Sequence, residues 1–196
     1  MSRTSKYYYR RNLPHYRGPG AIYHVRLSVQ PPGELSGDWM FEIVEKSLMF
    51  RHKQTYLLRA YEIMSNHTHA VIEPLPNTRN PEEWTELANF YRLEDILCGI
   101  KKHTSLDINR RLAKRGRLWM KEYFDRTIRG EKDLIEVIDY IHHNAVRWRL
   151  VERPEDYRWS SLRTIYSGRA EYDAWFDWEP RFPQIDVRRV LPLAST

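Results

Sequence analysis

The sequence predicts an α+β fold built on an antiparallel β-sheet, and three observations support this prediction. Four short segments alternate in polarity or are rich in β-branched and aromatic residues, as strands are. Two segments between them repeat apolar residues at helical spacing, and a third such segment follows the last strand. The chain has 196 residues, of which 41% are hydrophobic, and can therefore bury one sizeable core.

The first half of this pattern contains three predicted strands and one helix. Residues 21–30 carry apolar side chains at every second position, which is typical of a strand. Asp38 can cap a helix that runs to about His52. Residues 56–64 and 67–73 predict two strands that are joined by a two-residue turn and are therefore antiparallel neighbours.

The second half adds two helices and a strand. After a polar loop over residues 74–92, apolar spacing predicts a helix over residues 93–114, which Gly99 weakens. Residues 118–124 predict a short strand, and residues 131–144 predict a strongly periodic helix. The order β-α-β-β-α-β is that of the ferredoxin-like split βαβ motif, with its helices on one face of the sheet. One more helix and a C-terminal extension follow it.

Composition divides the chain into three parts. Residues 1–20 are rich in Arg, Tyr, Pro and Gly and predict a basic aromatic arm. Residues 21–150 contain the predicted sheet and its helices, and we interpret them as one domain. Residues 151–196 are rich in Trp, Arg and Pro and form the predicted C-terminal extension.

Composition also excludes several classes of protein. Cys98 is the single cysteine, which excludes intramolecular disulfides and metal sites with two cysteine ligands. No segment approaches the ~20 apolar residues of a membrane span, and the first residues lack the apolar run of a signal peptide. We therefore expect a soluble, cytoplasmic protein with no membrane partner.

Positive charge is concentrated in two segments of a chain whose net charge is +6. Residues 1–26 contain six Lys or Arg and no acid, and residues 92–117 contain eight Lys or Arg and three acids. Basic segments interleaved with aromatic residues favour a polyanion whose bases can stack. A solvated basic surface without a nucleic-acid partner is the alternative.

Two histidines on a predicted strand form the sharpest local feature. His67 and His69 are two residues apart, so their side chains lie on the same face of a strand. Imidazole is a common ligand of divalent metals, but two histidines require a third ligand. Surface histidines, or histidines with hydrogen-bonding partners, are the alternative.

The helix over residues 131–144 contains a candidate for that third ligand. Tyr140 and Asn144 are one turn apart and lie about 40° from each other on the flank of the apolar face. If this face packs on the sheet, a tyrosine and a carboxamide can approach a metal held by the strand. Tyr140 could equally be an ordinary amphipathic residue at the rim of the helix.

Five stretches, in order along the chain, resemble motifs of the single-tyrosine HUH transposases, most closely of the REP-associated tyrosine transposases. RRNLPHYRGPGAIYHV resembles the opening of that family, and MSNHTHAVIEPL resembles its strand with paired histidines. IKKHTSLDINRRLAKRGRLWMKEYFDRTIR resembles its second helix and following strand. DYIHHNAV resembles its nucleophile helix, and VERPEDYRWSSLRTIY resembles its C-terminal segment.

The resemblance implies a ferredoxin-like domain that cuts and rejoins single-stranded DNA. Tyr140 matches the nucleophile, and His67, His69 and Asn144 match the ligands of a Mg²⁺ or Mn²⁺ ion. The implied intermediate is a 5′-phosphotyrosine with a free 3′-OH. The implied partner is single-stranded or hairpin DNA with repeat palindromes, and a homodimer and a nucleoid-associated location are further expectations.

Basic residues of the arm and of the second predicted helix are candidate contacts to this DNA. Lysine and arginine can neutralise phosphates, and an asparagine can read a base. The candidates are Arg10, Arg11, Lys101, Lys102, Asn109, Arg110, Arg111, Lys114 and Arg117.

Two positions depart from the motifs of the family. Thr68 replaces a bulky apolar residue between the histidines, and its side chain should point to the opposite face of the strand. Ala145 replaces the usual proline after Asn144, which could let the helix continue for another turn. His142 and His143 receive no role from the resemblance.

Three other functions remain open at this level. A non-catalytic DNA-binding protein could keep the fold, and a phosphoesterase could use the histidine pair to hydrolyse a small substrate. An RNA-binding module would stack bases on aromatic residues of its sheet, whereas the proposed central strand carries His67, His69 and Val71.

Overall fold

A computed structural model describes the chain over residues 8–10 and 14–166, with side chains over residues 17–163. Its strands are β1 (Tyr8–Arg10), β2 (Pro14–Tyr16), β3 (Tyr23–Ser28), β4 (Tyr56–Ile63), β5 (His67–Pro74) and β6 (Phe124–Thr127). Its α-helices are α1 (Asp38–Met49), α2 (Leu93–Arg111), α3 (Glu131–His142), α4 (Asn144–Arg147) and α5 (Ser161–Tyr166). None of the helices in this part of the chain is long and apolar enough to cross a membrane.

Strands β3 to β6 form one antiparallel sheet, in the order β4-β5-β3-β6. With α1 after β3 and α2 after β5, the chain follows the order of the ferredoxin-like split βαβ motif. The predicted α+β fold class is therefore confirmed. The short strands β1 and β2 pair with each other in a separate antiparallel ribbon.

One face of the sheet is apolar because side chains alternate along its strands. Val25 of β3 and Ile72 of β5 point into this face and are fully buried. They belong to the main hydrophobic core, to which α1 contributes Val44 and α2 contributes Leu97. The two helices of the split motif therefore share one face, as the sequence predicts.

The opposite face of the sheet is covered by α3. Ala60 of β4 and Val71 of β5 form a second, smaller buried cluster with Leu134, Val137 and Ile141 of the helix. These three helix residues are the apolar stripe that the sequence shows at helical spacing. The polar side chains on this face of the sheet are consequently enclosed beneath a helix.

The last strand of the sheet lies later in the chain than predicted. The sequence predicts it over residues 118–124, whereas β6 spans Phe124–Thr127. Trp119 makes only an isolated bridge to Val29, and its buried indole N–H donates to Thr104 Oγ1 at 2.7 Å. The continuous ladder with β3 begins only at Phe124.

Three helices end earlier than the sequence predicts, and the first of them, α1, ends at Met49 rather than at about His52. The helix α2 ends at Arg111, and Ala113 then adopts a left-handed φ of 51°. The helix predicted over residues 131–144 ends at His142, and after a break at His143 the chain forms the separate short helix α4. With alanine at position 145, helical structure thus resumes at Asn144 rather than continuing without interruption.

The beginning of the predicted C-terminal extension packs against β4. The Tyr157 hydroxyl donates to the carbonyl of Ile63 at 2.8 Å, and the Ile63 N–H donates to the carbonyl of Trp159 at 2.9 Å. The Trp159 ring also stacks on Phe41 of α1, with the ring centres 5.3 Å apart. These residues therefore share the core of the sheet, and the division of the chain at residue 150 stays a prediction.

Arg17 joins the N-terminal segment to the edge of the sheet. Its side chain is buried, with Nε 2.6 Å from Glu94 Oε1 of α2 and Nη1 2.6 Å from Asp125 Oδ2 of β6. Its second terminal nitrogen donates to the Tyr123 hydroxyl at 3.2 Å. Charge-assisted hydrogen bonds of this length are among the stronger polar contacts in proteins.

We expect Arg17→Met to destabilise the fold, because it removes the cation from between two largely buried carboxylates. Breaking a buried pair from one side lowers the free energy of unfolding by about 3–5 kcal/mol. Urea denaturation followed by circular dichroism measures this change. Arg153→Met is the control, because Arg153 pairs with Asp156 at the surface. Equal unfolding midpoints for the two variants would show that Arg17 is not a structural anchor.

Candidate active site

The two histidines of β5 lie side by side on the face of the sheet that α3 covers. His67 and His69 pair in register with Ser28 and Arg26 of β3. Their ring centres are 4.8 Å apart with the ring planes at 87°, and the residues are only 3% and 4% exposed. The period-two geometry of the strand thus brings both imidazoles to one enclosed place.

The position of the proton on His67 follows from its neighbours. Its Nδ1 lies 2.5 Å from Asn66 Oδ1, and an amide oxygen can only accept a hydrogen bond. Nδ1 therefore carries the hydrogen, and the lone pair lies on Nε2. This nitrogen is 3.1 Å from the side-chain amide of Asn144. A histidine whose other nitrogen is held in this way is oriented to bind a metal.

His24 of β3 holds the second histidine. Its Nε2 lies 2.9 Å from His69 Nδ1, and the rings are 5.0 Å apart between centres. When His69 donates its Nδ1 hydrogen to His24, its own Nε2 keeps a free lone pair. Sequence reasoning missed His24. Its place between the core residues Tyr23 and Val25 puts it on the opposite face of β3, but only the pairing with β5 puts it beside His69.

Burial keeps these three imidazoles neutral at pH 7. Loss of solvation, with a smaller contribution from Arg26, lowers the pKa of His67 to about 4. Loss of solvation also lowers the pKa of His69 to about 2, helped by His24, His67 and Arg26. The pKa of His24 is lowered to about 4 by burial and by Arg126. Neutral imidazole is the form that binds metals.

Tyr140 of α3 lies at the open rim of this cluster. Its ring centre is 5.8 Å from that of His69 and 6.2 Å from that of His24, with the rings edge to face. The residue is 40% exposed, whereas the two histidines are buried. Arg147 of α4 places its guanidinium carbon 4.5 Å from the centre of the tyrosine ring. The tyrosine thus lies beside the histidines of its own chain, next to a positive charge.

The donor atoms present fit the divalent metal that the resemblance implies. His67 Nε2 and the Asn144 amide are 3.1 Å apart, which is close enough for both side chains to bind one ion. Asn144 is 4% exposed, and its amide can present oxygen after rotation of the terminal group. Among the described residues, no group of three or more His, Cys, Asp or Glu side chains could hold a metal. The amide oxygen would therefore serve as the third ligand.

Two of the predicted DNA contacts support a loop of their own chain. Lys101 Nζ donates to the carbonyls of Met120 and Lys121 at 2.6 and 2.9 Å. Asn109 Nδ2 donates to the carbonyl of Gly116 at 2.8 Å. Both side chains thus hold the loop over residues 112–121, and their contact with DNA stays a prediction.

The other predicted DNA contacts lie in two regions, the N-terminal arm and the segment formed by α2 and the loop after it. Arg110 lies 3.7 Å from Asp107, and Arg111 lies over the ring of Trp39. Most of α2 packs on the apolar face, across the sheet from the histidines. The exposed members of the set are Lys102, Arg110, Arg111, Lys114 and Arg117. Arg10 belongs to β1, where only the backbone is described, and Arg11 lies outside the described residues.

The loop after α2 lies at the same end of the sheet as His67. Leu118 accepts a backbone hydrogen bond from Gln30 at 2.8 Å, and Met120 donates one to Ser28 at 2.8 Å. Ser28 is in turn the register partner of His67. Lys114 and Arg117 therefore belong to a loop that bonds to the histidine end of the sheet.

The histidines after the tyrosine have separate environments. His142 is buried, and its Nε2 lies 2.8 Å from Ser161 Oγ at the start of α5. His143 is partly exposed, with Nδ1 2.9 Å from the carbonyl oxygen of Asp139. Both contacts hold the end of α3 rather than the cluster around His69.

Two comparisons with known proteins, one of sequences and one of structures, support the resemblance, and a third found no match. No protein-family model matches the chain. A protein of Haemophilus influenzae named as a REP-associated tyrosine transposase is 34% identical to it over 67 residues. These residues are 34% of this chain and 38% of that relative, so the match covers well under half of either protein.

A solved structure extends the likeness to most of the fold. It is that of a REP-associated tyrosine transposase bound to a REP hairpin, and the TM-score is 0.63. The alignment covers 82% of this chain and 85% of that one, at 15% identity, and therefore concerns the fold alone. The resemblance predicted from the motifs is thus confirmed: the chain is similar to REP-associated tyrosine transposases in sequence over a third of its length and in fold over most of it.

Proposed function

We propose that this protein is a metal-dependent DNA strand transferase that cuts single-stranded DNA beside a hairpin through a phosphotyrosine on Tyr140. One observation carries the proposal. An accessible tyrosine lies edge-on to the buried histidine pair of the same chain, and the Asn144 amide on the following helix lies 3.1 Å from His67. A nucleophile, two imidazoles and a carboxamide are thus brought together by three elements, β5, α3 and α4.

The comparisons support the class of substrate. The relative from Haemophilus influenzae carries the name of a transposase, and the structural neighbour was solved with a REP hairpin. The exposed basic residues of the loop after α2, together with Arg147, supply positive charge near the site for a polyanion. We therefore propose hairpin DNA with an adjoining single strand as the substrate.

Cleavage is an in-line displacement at phosphorus. A Mg²⁺ or Mn²⁺ ion held by His67, His69 and Asn144 would supply Lewis-acid polarisation of the scissile phosphate. The Tyr140 oxygen loses its proton to solvent and attacks the phosphorus, and the bond from phosphorus to the 3′ oxygen breaks. The 3′ oxygen takes up a proton and leaves as a free 3′-OH. Arg147 can pair with a non-bridging oxygen and hold the phosphate against the phenol ring.

Joining is the reverse of cleavage. A 3′-OH attacks the phosphotyrosine, the new phosphodiester forms, and the Tyr140 oxygen leaves and is protonated. The energy of the broken bond is kept in the tyrosine linkage, so the reaction requires no nucleotide cofactor. His24 keeps His69 in one orientation throughout, because their hydrogen bond joins two strands of the same sheet.

Tyr140→Phe should abolish formation of the covalent protein–DNA adduct while leaving DNA binding intact. The substitution keeps the ring beside His69 and Arg147 and removes only the attacking oxygen. A denaturing gel with a labelled single-stranded oligonucleotide detects the adduct. Tyr91→Phe is the control, because Tyr91 is 38% exposed and therefore similar in accessibility to Tyr140. Adduct formation by the Tyr140 variant at the wild-type level would identify another nucleophile.

The double variant His67→Ala, His69→Ala should lose cleavage dependent on Mg²⁺ or Mn²⁺, because one amide cannot hold the ion. We expect an affinity for Mn²⁺ at least about 100-fold weaker by isothermal titration calorimetry, since two of three protein ligands are gone. His103→Ala, on the exposed surface of α2, is the control. Unchanged Mn²⁺ affinity in the double variant would show that the ligand assignment is wrong.

A hairpin with a single-stranded tail should bind more tightly than a duplex of matched length. A duplex holds each phosphate on a stiff, stacked backbone, whereas a single strand can present one phosphorus in line with Tyr140. Binding to about four phosphates should weaken about 50-fold or more between about 50 and about 200 mM salt. Fluorescence anisotropy at two salt concentrations measures both effects. Equal affinities for the two DNAs would favour a general DNA-binding protein that does not cleave.

A further inference from the structure

A buried carboxylic acid adjoins the candidate active site and has no part in the mechanism above. Glu62 of β4 is fully buried and is the register partner of His69 on the neighbouring strand. Its Oε1 accepts a hydrogen bond from the backbone N–H of Ala145 at 2.8 Å. Its Oε2 is buried and has no hydrogen-bonding partner among the described residues. Burying an oxygen without a hydrogen-bonding partner lowers the stability of the fold.

The hydrogen bond of Glu62 reaches the chain immediately after Asn144. The helix α3 ends at His142, His143 has φ −90° and ψ 2°, and α4 begins at Asn144. The first backbone N–H groups of a helix have no partner within the helix. Glu62 satisfies one of them from the sheet, so the acid joins β4 to the start of α4.

We infer that Glu62 is a positioning residue: its contact with the Ala145 N–H holds the junction of α3 and α4 so that the Asn144 amide faces His67. The inference rests on the proposed function, in which Asn144 is a ligand of the metal and must therefore face His67. The sheet end of this contact lies beside His69, and the helix end lies beside Asn144. One hydrogen bond therefore sets the separation between the histidine strand and the carboxamide.

The donor in this contact depends on the residue at position 145. Proline, which the resembled motif has at this position, carries no backbone N–H and could not donate to Glu62. Alanine supplies the donor, and a buried acid supplies the acceptor. The two residues form a matched pair, and a change of one should alter the effect of a change of the other.

The test uses Glu62→Leu, which removes the acceptor, and Glu62→Gln, which keeps an oxygen acceptor at nearly the same place. We expect Glu62→Leu to weaken Mn²⁺ binding by about 10-fold or more, as loss of outer contacts to metal ligands does, and Glu62→Gln to restore most of the affinity. Calorimetry measures the affinity, and amide hydrogen exchange at Ala145 reports on the contact directly. Exchange should be faster in the leucine variant. Thermal unfolding shows whether each variant is folded.

Substitution of Ala145 by proline completes a double-mutant cycle. In the Ala145→Pro background the N–H is absent, so adding Glu62→Leu should change Mn²⁺ affinity by less than about 2-fold. Equal losses from Glu62→Leu in both backgrounds, or a leucine variant that is folded and keeps wild-type affinity and exchange, would overturn the inference.

The cycle distinguishes this inference from the proposed function. If the wild-type protein forms the tyrosine adduct but the cycle shows no coupling, Glu62 has no positioning role and the proposed function stands. If the wild-type protein forms no adduct, the proposed function is wrong. The exchange rate at Ala145 and the Mn²⁺ affinities still decide whether Glu62 positions Asn144.

Discussion

The antiparallel pairing of β3 with β5 is the constraint on which the rest of the structure depends. Alternation along these strands sends every second side chain into the main core under α1 and α2. The intervening side chains, including His24 and His69, face the other side, where α3 encloses them. Buried polar groups require hydrogen-bonding partners, and here they bond to one another and to the start of α4. The candidate site is thus a direct consequence of packing an amphipathic helix on a polar face of the sheet.

This arrangement separates the buried imidazoles of the site from the exposed tyrosine at its edge. Burial keeps the imidazoles of His67 and His69 neutral. The contact with Asn66 places the hydrogen of His67 on Nδ1, and the contact with His24 orients His69. Tyr140, in contrast, is exposed enough to meet a large substrate. The proposed DNA substrate is too large to enter the enclosed part, but it could place one phosphate at the rim. The geometry therefore suits a reaction in which the protein reaches a single phosphorus from one side.

The positive charge of the chain does not lie in one place. Much of it belongs to α2, which packs on the face of the sheet opposite the histidines. Lys101 and Asn109 hold the loop over residues 112–121, and this loop in turn lies at the histidine end of the sheet. The loop presents Lys114 and Arg117, so two side chains with structural contacts support two that are exposed. A nucleic acid that contacts this loop would pass around the end of the sheet to reach Tyr140.

The sequence by itself determined the elements, the shared face of the histidine pair and the spacing of Tyr140 and Asn144, because these depend on local periodicity. It placed the last strand too early, since Trp119 is a good strand residue but makes only an isolated bridge to Val29. Only the tertiary structure put His24 beside His69, because that contact depends on the register between β3 and β5, which are more than forty residues apart. The same holds for the contact of the β4 acid with the start of α4. Local pattern predicts which face a side chain takes, whereas the partner it meets there is decided by how distant segments pack.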